Sequence, residues 1–385
     1  MQEVFLNNNA STKVDPEVLD AMLPYFCEHY GNPSNLHSFG REAKEAIEQA
    51  REQVADFLNA KPEEIYFTSG GTESNNLAIK GILRANIDHG NHIITSKIEH
   101  DSVLRTMQFL EKMRYIETDF IAVDEFGTVA ADQLERYLTN NTVLVSIMHS
   151  NNEVGTIQPI KKLTAIAHNK GVYFHIDAVA SAGKIPLDVA DLAVDLLTMS
   201  AHKFHGPKGV GCLYIKEGVK IEKIIYGGEQ ERGIRAGTEN LAGIVGLGKA
   251  ANIAKNHLNR GGPQKIETLR NHLEAEITSR INDVKINGHP IQRYCSILNV
   301  SFAAVNHQQL IESLDQAGIK VSSGSVCETD QYKTSYVLQA MNVREKYLNN
   351  QVRFGLSKYT TQDEINYTID VLVNLVKHLR SNKKS

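Results

Sequence analysis

The sequence predicts an α/β protein with a mostly parallel central sheet in a large domain, followed by a smaller α/β C-terminal domain. Between about residues 40 and 215, short apolar runs of strand type alternate with segments whose apolar residues recur at helical spacing. This alternation favours a parallel sheet with helices on both faces, because parallel strands need long crossover connections. Beyond residue 240 two long helical segments begin a second pattern, and 385 residues are enough for both parts.

Each element is predicted from its own local pattern. In the first helix, at 40–59, the apolar residues Ala43, Ile47, Ala50 and Val54 lie on one face. Strands are expected at Glu64–Thr68, His92–Ser96, Arg114–Val123, Thr142–His149, Val172–Asp177, Leu196–Met199 and Gly211–Ile215. The helices between them are expected at Asn75–Ala85, Asp101–Met113, Ala131–Leu138 and Ile160–Lys170.

In the second part, long helices are predicted at Leu241–Leu258 and Lys265–Arg280, with a hinge at Asn259–Pro263 between them. They are followed by predicted strands at Ser296–Phe302 and Lys320–Ser322, helices at Gln308–Ala317 and Gln362–Leu379, and a polar loop at Glu328–Thr334. We therefore expect a large domain formed by residues 13–255 and a small domain formed by residues 1–12 with 256–385.

Composition and charge exclude several classes of protein. The chain is 42% apolar and 22% charged, as in ordinary globular proteins, and its net charge of −4 provides no basic field for nucleic acid. The N-terminus has no export signal and no apolar run could cross a bilayer, so we expect a cytoplasmic protein without a membrane partner. Four widely spaced cysteines form no CxxC pair, and we expect no metal site.

A candidate cofactor anchor is Lys203, which lies between an apolar run and a glycine-rich turn. A lysine becomes a nucleophile near neutral pH only where burial or neighbouring cations lower its pKa, and His202 is adjacent. On this stretch alone a surface lysine is the simpler interpretation. Asp177 ends a predicted strand, and a buried carboxylate there needs a cationic partner such as the pyridine nitrogen of pyridoxal phosphate. Its alternatives are a helix cap and a metal ligand.

Further polar residues follow other strands of the predicted sheet. Ser69–Thr72 lies between a strand and a helix, where backbone amides favour an anion, although it matches no nucleotide-binding motif and could be a structural turn. His100 could stack on an aromatic cofactor or cap a helix, and Asn152 brings an amide to the same edge. Ser200 and His202 could donate to a phosphate. Together these strand ends carry the donors that one phosphorylated cofactor needs.

These residues resemble the motifs of the cysteine desulfurases, pyridoxal-phosphate enzymes of the class V aminotransferase group, and more narrowly the nitrogen-fixation and iron–sulfur-assembly type. The resemblance runs along nearly the whole chain. The motifs are Asn8-Asn-Ala-Ser-Thr12, Tyr30-Gly-Asn-Pro-Ser34, Gly71-Thr-Glu-Ser-Asn-Asn76, Glu99-His100, Asn151-Asn-Glu-Val-Gly155, His175-Ile-Asp-Ala178, Ser200-Ala-His-Lys203, Glu231-Arg-Gly-Ile-Arg-Ala-Gly-Thr238, Ser322-Ser-Gly-Ser-Val-Cys327 and Val352-Arg353-Phe.

The resemblance implies fold type I of the pyridoxal-phosphate enzymes and conversion of L-cysteine to L-alanine. Lys203 would hold the cofactor covalently and move protons, Asp177 would pair with the pyridine nitrogen, and His100 would stack on the ring and act in acid–base steps. The remaining cofactor contacts would come from Gly71, Thr72, Asn152, Ser200 and His202, with Thr238 reaching in from the other subunit of a homodimer. Asn152 and Arg353 would hold the substrate carboxylate by hydrogen bonds and a bidentate ion pair.

Cys327 would receive the sulfur as a persulfide and deliver it to a protein acceptor. A serine- and glycine-rich run precedes this cysteine and a hydrophilic segment follows it, which predicts an exposed thiol on a mobile loop. An inconsequential loop cysteine is the alternative. The sequence does not distinguish acceptors in iron–sulfur cluster assembly, transfer-RNA thiolation or DNA sulfur modification.

The chain departs from the resembled pattern at a few positions. Ala180 stands where a glutamine usually donates to the phenolic oxygen of the cofactor, and Asn7 stands where an aspartate is common. Val326, Glu328 and Thr329 replace smaller residues around the cysteine. Two other functions therefore remain open: another class V enzyme, such as a C–S lyase or a transaminase-like enzyme, and a catalytically weakened scaffold of a sulfur-transfer complex.

Overall fold

The computed structural model describes residues 3–324 and 334–382, and within these ranges it contains three β-sheets. The strands are β1 (Val4–Phe5), β2 (Ile65–Thr68), β3 (His92–Ser96), β4 (Glu117–Ile121), β5 (Thr142–Ser146), β6 (Tyr173–Asp177), β7 (Leu196–Ser200), β8 (Gly211–Ile215), β9 (Val284–Asn287), β10 (Ile297–Phe302), β11 (Ile319–Lys320) and β12 (Gln351–Gly355).

The helices pack against the large sheet and against the smaller ones. They are α1 (Pro16–Met22), α2 (Pro24–Cys27), α3 (Ser38–Leu58), α4 (Gly71–Ala85), α5 (Asp101–Lys112), α6 (Ala131–Tyr137), α7 (Ile160–His168), α8 (Val189–Leu192), α9 (Leu241–Asn259), α10 (Gly262–Arg280), α11 (His307–Gln316), α12 (Tyr336–Ala340), α13 (Glu345–Leu348) and α14 (Gln362–Asn382).

The seven-stranded sheet has the order β2-β8-β7-β6-β5-β3-β4 and is mostly parallel. Strands β3 to β7 run parallel to one another, whereas β8 is antiparallel to both β2 and β7. The central strands β5, β6 and β7 are buried along nearly their whole length, as expected of strands with helices on both faces. The α/β class with a mostly parallel central sheet is confirmed.

A second apolar core forms around the antiparallel sheet β12-β10-β9, with α10, α11 and α14 packed against it. The N-terminal strand β1 joins this core through Val4 and Leu6, because it pairs in parallel with β11. The chain then crosses to the large sheet, where the backbone N–H of Thr12 donates to the carbonyl of His202. Residues 4–12 therefore link the two cores directly beside the predicted lysine.

Some element boundaries differ from the sequence predictions. Helix α4 begins at Gly71, not Asn75, because Gly71-Thr-Glu-Ser forms its first turn. The predicted five-residue hinge is shorter, since α9 continues to Asn259 and Pro263 lies in the first turn of α10. Strand β12, which carries Arg353, was not predicted. The polar loop predicted at Glu328–Thr334 lies almost wholly outside the described residues. Among the helices of the described ranges, none is both long and apolar enough to cross a membrane.

Candidate active site

One cavity of about 290 Å³ opens at the carboxyl ends of the large sheet's parallel strands. Its volume is near the lower end of small-molecule sites, which span roughly 300–1,000 Å³. All but two of the residues predicted from the sequence line it: Gly71, Thr72, His100, Asn152, Asp177, Ser200, His202, Lys203 and Arg353. The structure thus brings together residues that are up to 282 positions apart, from Gly71 to Arg353.

Lys203 ends a short 3₁₀ turn directly after β7. Its Nζ donates to the carbonyl oxygens of Asn9 at 2.8 Å and Ala10 at 3.0 Å. Two backbone carbonyls and the cavity therefore surround the amine, and the interpretation of Lys203 as an ordinary surface lysine does not fit its position.

The cation beside this amine is Lys184, which the sequence analysis did not identify. The Nζ of the half-buried Lys184 donates to the carbonyl oxygens of Ala180 at 3.0 Å and Lys203 at 3.1 Å. Burial and, secondarily, the positive charge of Lys203 lower the pKa of Lys184 to about 7. His202, expected from the sequence as the neighbouring cation, is neutral near pH 7, since burial and then the charge of Lys203 lower its pKa to about 4.

Asp177 ends β6, and its side chain is fixed by two donors. Its Oδ1 accepts the backbone N–H of Val179 at 2.9 Å, and its Oδ2 accepts Nδ2 of Asn75 at 2.7 Å. Asn75 also donates to Oγ of Ser102 at 2.8 Å. Hydrogen bonds that a carboxylate accepts favour its charged form, so Asp177 is suited to pair with a protonated ring nitrogen. Asn75 is a positioning residue that the sequence analysis did not identify.

A second carboxyl group at this edge, that of Glu99, is held neutral. Glu99 is fully buried, and burial, with a smaller contribution from the charge of Asp177, raises its pKa to about 8. Its Oε1 accepts Oγ of Ser96 at 2.6 Å and the backbone N–H of Met148 at 3.0 Å. The two neighbouring carboxyl groups therefore differ: Glu99 is neutral near pH 7, whereas Asp177 accepts the two hydrogen bonds from Val179 and Asn75.

His100 is the N-cap residue of α5 and also lines the cavity. Its Nδ1 accepts the backbone N–H of Ser102 at 3.1 Å and lies 2.8 Å from the Ser102 hydroxyl. The capping and ring-stacking interpretations are therefore compatible. A neutral His100 with an accepting Nδ1 carries its ring proton on Nε2.

The first turn of α4 forms the anion-binding end of the cavity. Gly70 has φ 148° and ψ −176°, a region that only glycine adopts readily, and a Cβ at Gly71 would lie 2.7 Å from Cγ2 of Val179. The two glycines thus let the helix start close to the ends of β6 and β7. The positive end of the 15-residue helix, with Thr72, Ser200 and His202, fits a phosphate group.

At the opposite end, Arg353 projects from β12 and is 2% exposed. Its Nη1 donates to the carbonyl of Asn152 at 2.9 Å. The buried Oδ1 of Asn152 has no hydrogen-bond partner among the described residues. A guanidinium beside an amide is suited to a carboxylate, whereas the start of α4 is suited to a phosphate.

Two predicted residues are not in this cavity. Thr238 is exposed and lies in a separate groove with Ser69, Arg235 and Gly237. Cys327 lies outside the described residues. The described chain that leads to Cys327 is anchored at the site, because the backbone of Ser322 pairs with that of Arg353 in both directions.

The residues present fit pyridoxal phosphate. Asp177 offers a carboxylate with two donors already bound, Lys203 offers an amine that lines the cavity, and the first turn of α4 meets the cavity through Gly71 and Thr72. Ala180, which stands where the resembled family usually has a glutamine, lines the cavity but has no side-chain donor. Its backbone carbonyl accepts Nζ of Lys184.

Comparisons with known proteins agree with this arrangement. The family model for class-V aminotransferases matches residues 4–368. The chain is 47% identical to a protein named cysteine desulfurase IscS from Dictyoglomus turgidum, over 99% of this chain and 96% of that protein.

Solved structures give the same result. A NifS-like protein aligns with a TM-score of 0.92 and 39% identity, over 98% of this chain and 100% of its own. A structure described as SspA in complex with cysteine aligns with a TM-score of 0.80 and 35% identity, over 93% of this chain and 100% of its own.

Proposed function

We infer that this chain, which belongs to the class-V aminotransferase family, is a pyridoxal-phosphate-dependent cysteine desulfurase that converts L-cysteine to L-alanine. The observation that carries this function is the single cavity in which Lys203, Asp177 and Arg353 meet. The curated relative, with 47% identity over nearly the full length, bears the name of this activity.

Bound pyridoxal phosphate supplies an electron sink that stabilises negative charge at the substrate Cα. Lys203 binds the cofactor through its amine and moves a proton at the substrate Cα. Asp177 keeps the ring nitrogen protonated, and its own charge is supported by the donors from Asn75 and Val179. His100, with its proton on Nε2, lies where it can stack on the ring and donate that proton.

Arg353 and Asn152 orient the substrate by its carboxylate. The Asn152 carbonyl accepts a hydrogen bond from the buried guanidinium and so fixes its position. A carboxylate bound to this fixed guanidinium orients the rest of the substrate relative to Lys203. Because the Arg353 side chain is buried, its ionic contact is stronger than it would be in water.

Cys327 accepts the sulfur atom. The thiolate of Cys327 forms a bond to the substrate sulfur, the C–S bond of the substrate breaks, and a proton is added to the former Cβ, giving L-alanine and a persulfide. Burial raises the pKa of Cys212 to about 12 and that of Cys295 to about 11, so these two thiols are poor nucleophiles. Support for Cys327 is its position in the sequence, shortly after the Ser322 backbone that pairs with Arg353.

Incubation with L-cysteine tests this function. We expect one L-alanine per cysteine consumed and a mass increase of one sulfur atom on the peptide that contains Cys327. Cys327→Ala should abolish the adduct and stop repeated turnover, whereas Cys27→Ala, which removes an exposed thiol, should change neither. Sulfide release that is unchanged in Cys327→Ala, with pyruvate in place of alanine, would favour a C–S lyase, and formation of 3-mercaptopyruvate would favour a transaminase-like reaction.

Ala180 should give the lysine-linked cofactor an unusually high pKa. A donor to the phenolic oxygen favours the deprotonated form of the lysine–cofactor linkage, and one such bond contributes about 1.5–3 kcal/mol, or about 1–2 pKa units. Absorbance titration of Ala180→Gln should therefore show a lower pKa than the unaltered protein, and Ala180→Leu should not. Equal titrations for Ala180→Gln and the unaltered protein would refute the assignment.

The protein acts as a homodimer that delivers sulfur to a protein acceptor. Exposed apolar side chains between residues 26 and 39 support a subunit interface, with Leu36 91% exposed, and Thr238 is available to a neighbouring subunit. Light scattering of the purified protein tests the dimer.

The acceptor belongs to iron–sulfur cluster assembly, transfer-RNA thiolation or DNA sulfur modification, and transfer of labelled sulfur from Cys327 to candidate acceptors distinguishes them.

A further inference from the structure

Two adjacent buried asparagines between β1 and the large sheet differ in their hydrogen bonds. Asn8 is 4% exposed, and its Nδ2 donates to the carbonyls of Phe5 at 3.0 Å and Gly355 at 2.9 Å. Asn9 is 6% exposed, yet neither Oδ1 nor Nδ2 of its side chain has a hydrogen-bond partner among the described residues. A buried amide without partners is destabilising, so such a group in a native protein needs an explanation.

Asn9 lines the cavity, and its backbone is firmly placed there. Its carbonyl accepts Nζ of Lys203 at 2.8 Å, and the turn that contains it is closed by the backbone N–H of Ala10, which donates to the carbonyl of Asn7 at 3.0 Å. The Asn9 amide therefore belongs to a residue whose backbone is held at the cavity, next to the amine of Lys203.

The Asn9 side chain lies over the same face of β12 as Arg353. A Cβ built on Gly355 would be 3.1 Å from Cγ of Asn9 and 2.8 Å from its backbone nitrogen. Gly355 follows Arg353 by two residues in the strand, and residues two apart point to the same face, about 7 Å apart along the strand. The absence of a side chain at Gly355 thus leaves space for the Asn9 side chain on the face of β12 from which Arg353 projects.

We propose that Asn9 is a further substrate-binding residue, whose side-chain amide donates to the α-carboxylate that Arg353 binds. This inference rests on the proposed function and adds a contact to it. The carboxylate is the substrate group that suits the position, because Asn9 lines the same cavity and the same face of β12 as Arg353, whose cation attracts a carboxylate. Binding of the substrate then satisfies a buried donor that has no partner among the described residues.

The test compares Asn9→Ala with the matched control Asn8→Ala in the pyridoxal-phosphate-loaded protein. Asn9→Ala should raise KM for L-cysteine about tenfold with little change in kcat, and should weaken binding of L-alanine, measured by its spectral change, by a similar factor. The thermal unfolding midpoint without amino acid should stay the same or rise, because a buried unpaired amide is removed. Asn8→Ala should show the reverse pattern, a lower unfolding midpoint with nearly unchanged KM.

Asn9→Asp provides a second test, since it keeps the size of the side chain and adds a negative charge. It should raise KM for L-cysteine more than Asn9→Ala does, while binding of cysteamine, which lacks the carboxylate, should not weaken. The proposal is overturned if Asn9→Ala leaves KM and L-alanine binding unchanged, or if it lowers the unfolding midpoint as Asn8→Ala does. Absence of alanine formation by the unaltered protein would instead refute the proposed function.

Discussion

Replacement of Lys203 by alanine should reduce alanine formation from L-cysteine by more than about 10³-fold, because this change removes both the covalent anchor and a group that moves a proton. The cofactor should also be lost or held only by non-covalent contacts, so the yellow absorbance of the lysine-linked cofactor should disappear. Alanine formation and the absorbance spectrum, measured on the same preparation, test both expectations.

Lys208 provides the control for this experiment. It is an exposed lysine in the same glycine-rich turn, and Lys208→Ala should retain colour and activity. Colour and turnover that survive in Lys203→Ala would assign the anchor to another amine, and Lys184, which donates to the carbonyl of Lys203, is the candidate. A protein that never acquires the colour, even unaltered, would support the scaffold interpretation.

Asp177→Asn should lower kcat by about 150- to 5,000-fold. Loss of one partner from a buried ion pair costs about 3–5 kcal/mol, and each 1.36 kcal/mol corresponds to a factor of ten. The variant keeps the shape of the side chain but removes the charge opposite the ring nitrogen, so cofactor affinity should fall as well. Kinetics at saturating pyridoxal phosphate and a separate binding titration distinguish the two effects.

Asp195→Asn is the matched control, because Asp195 is as buried as Asp177 but lies away from the cavity. Asp195 accepts from the backbone N–H of Phe174 at 2.8 Å and contacts His168 Nε2 at 2.8 Å. Asp195→Asn should therefore affect the unfolding midpoint more than turnover. An Asp177→Asn variant with nearly normal kcat would mean that Asp177 does not pair with the ring nitrogen.

The sequence predicted the central elements well where local pattern and burial agree. The structure confirms β3 at His92–Ser96 and β8 at Gly211–Ile215 with the predicted bounds, because each is a short apolar run between turn residues. The start of α4 was wrong, since Gly71-Thr-Glu-Ser has the composition of a loop. Strand β12 was not predicted because Gln351 and Arg353 interrupt its apolar pattern, although both are buried.

The candidate site was predicted mainly through resemblance, and the residues that were not identified depend on tertiary structure. Lys184 looks like a surface lysine in sequence, and only the fold places it between the carbonyls of Ala180 and Lys203. In the sequence Asn75 is one polar residue within a predicted helix, and only the packing of α4 against the end of β6 brings it to Asp177. The difference between Asn8 and Asn9 is not visible in sequence at all, since it depends on contacts with β12.

The adjacency of β3, β5, β6 and β7 in the large sheet sets the scale of the ligand. These strands lead to His100, Asn152, Asp177 and Ser200, and neighbouring strands lie about 4.8 Å apart, so the first and last are separated by roughly 14 Å. The backbone hydrogen bonds between the strands therefore set the distances between these residues, and these distances do not depend on which side chains the strand ends carry. A substitution can remove one contact, as at Ala180, whereas the distance between Asp177 and Lys203 is set by the pairing of β6 with β7.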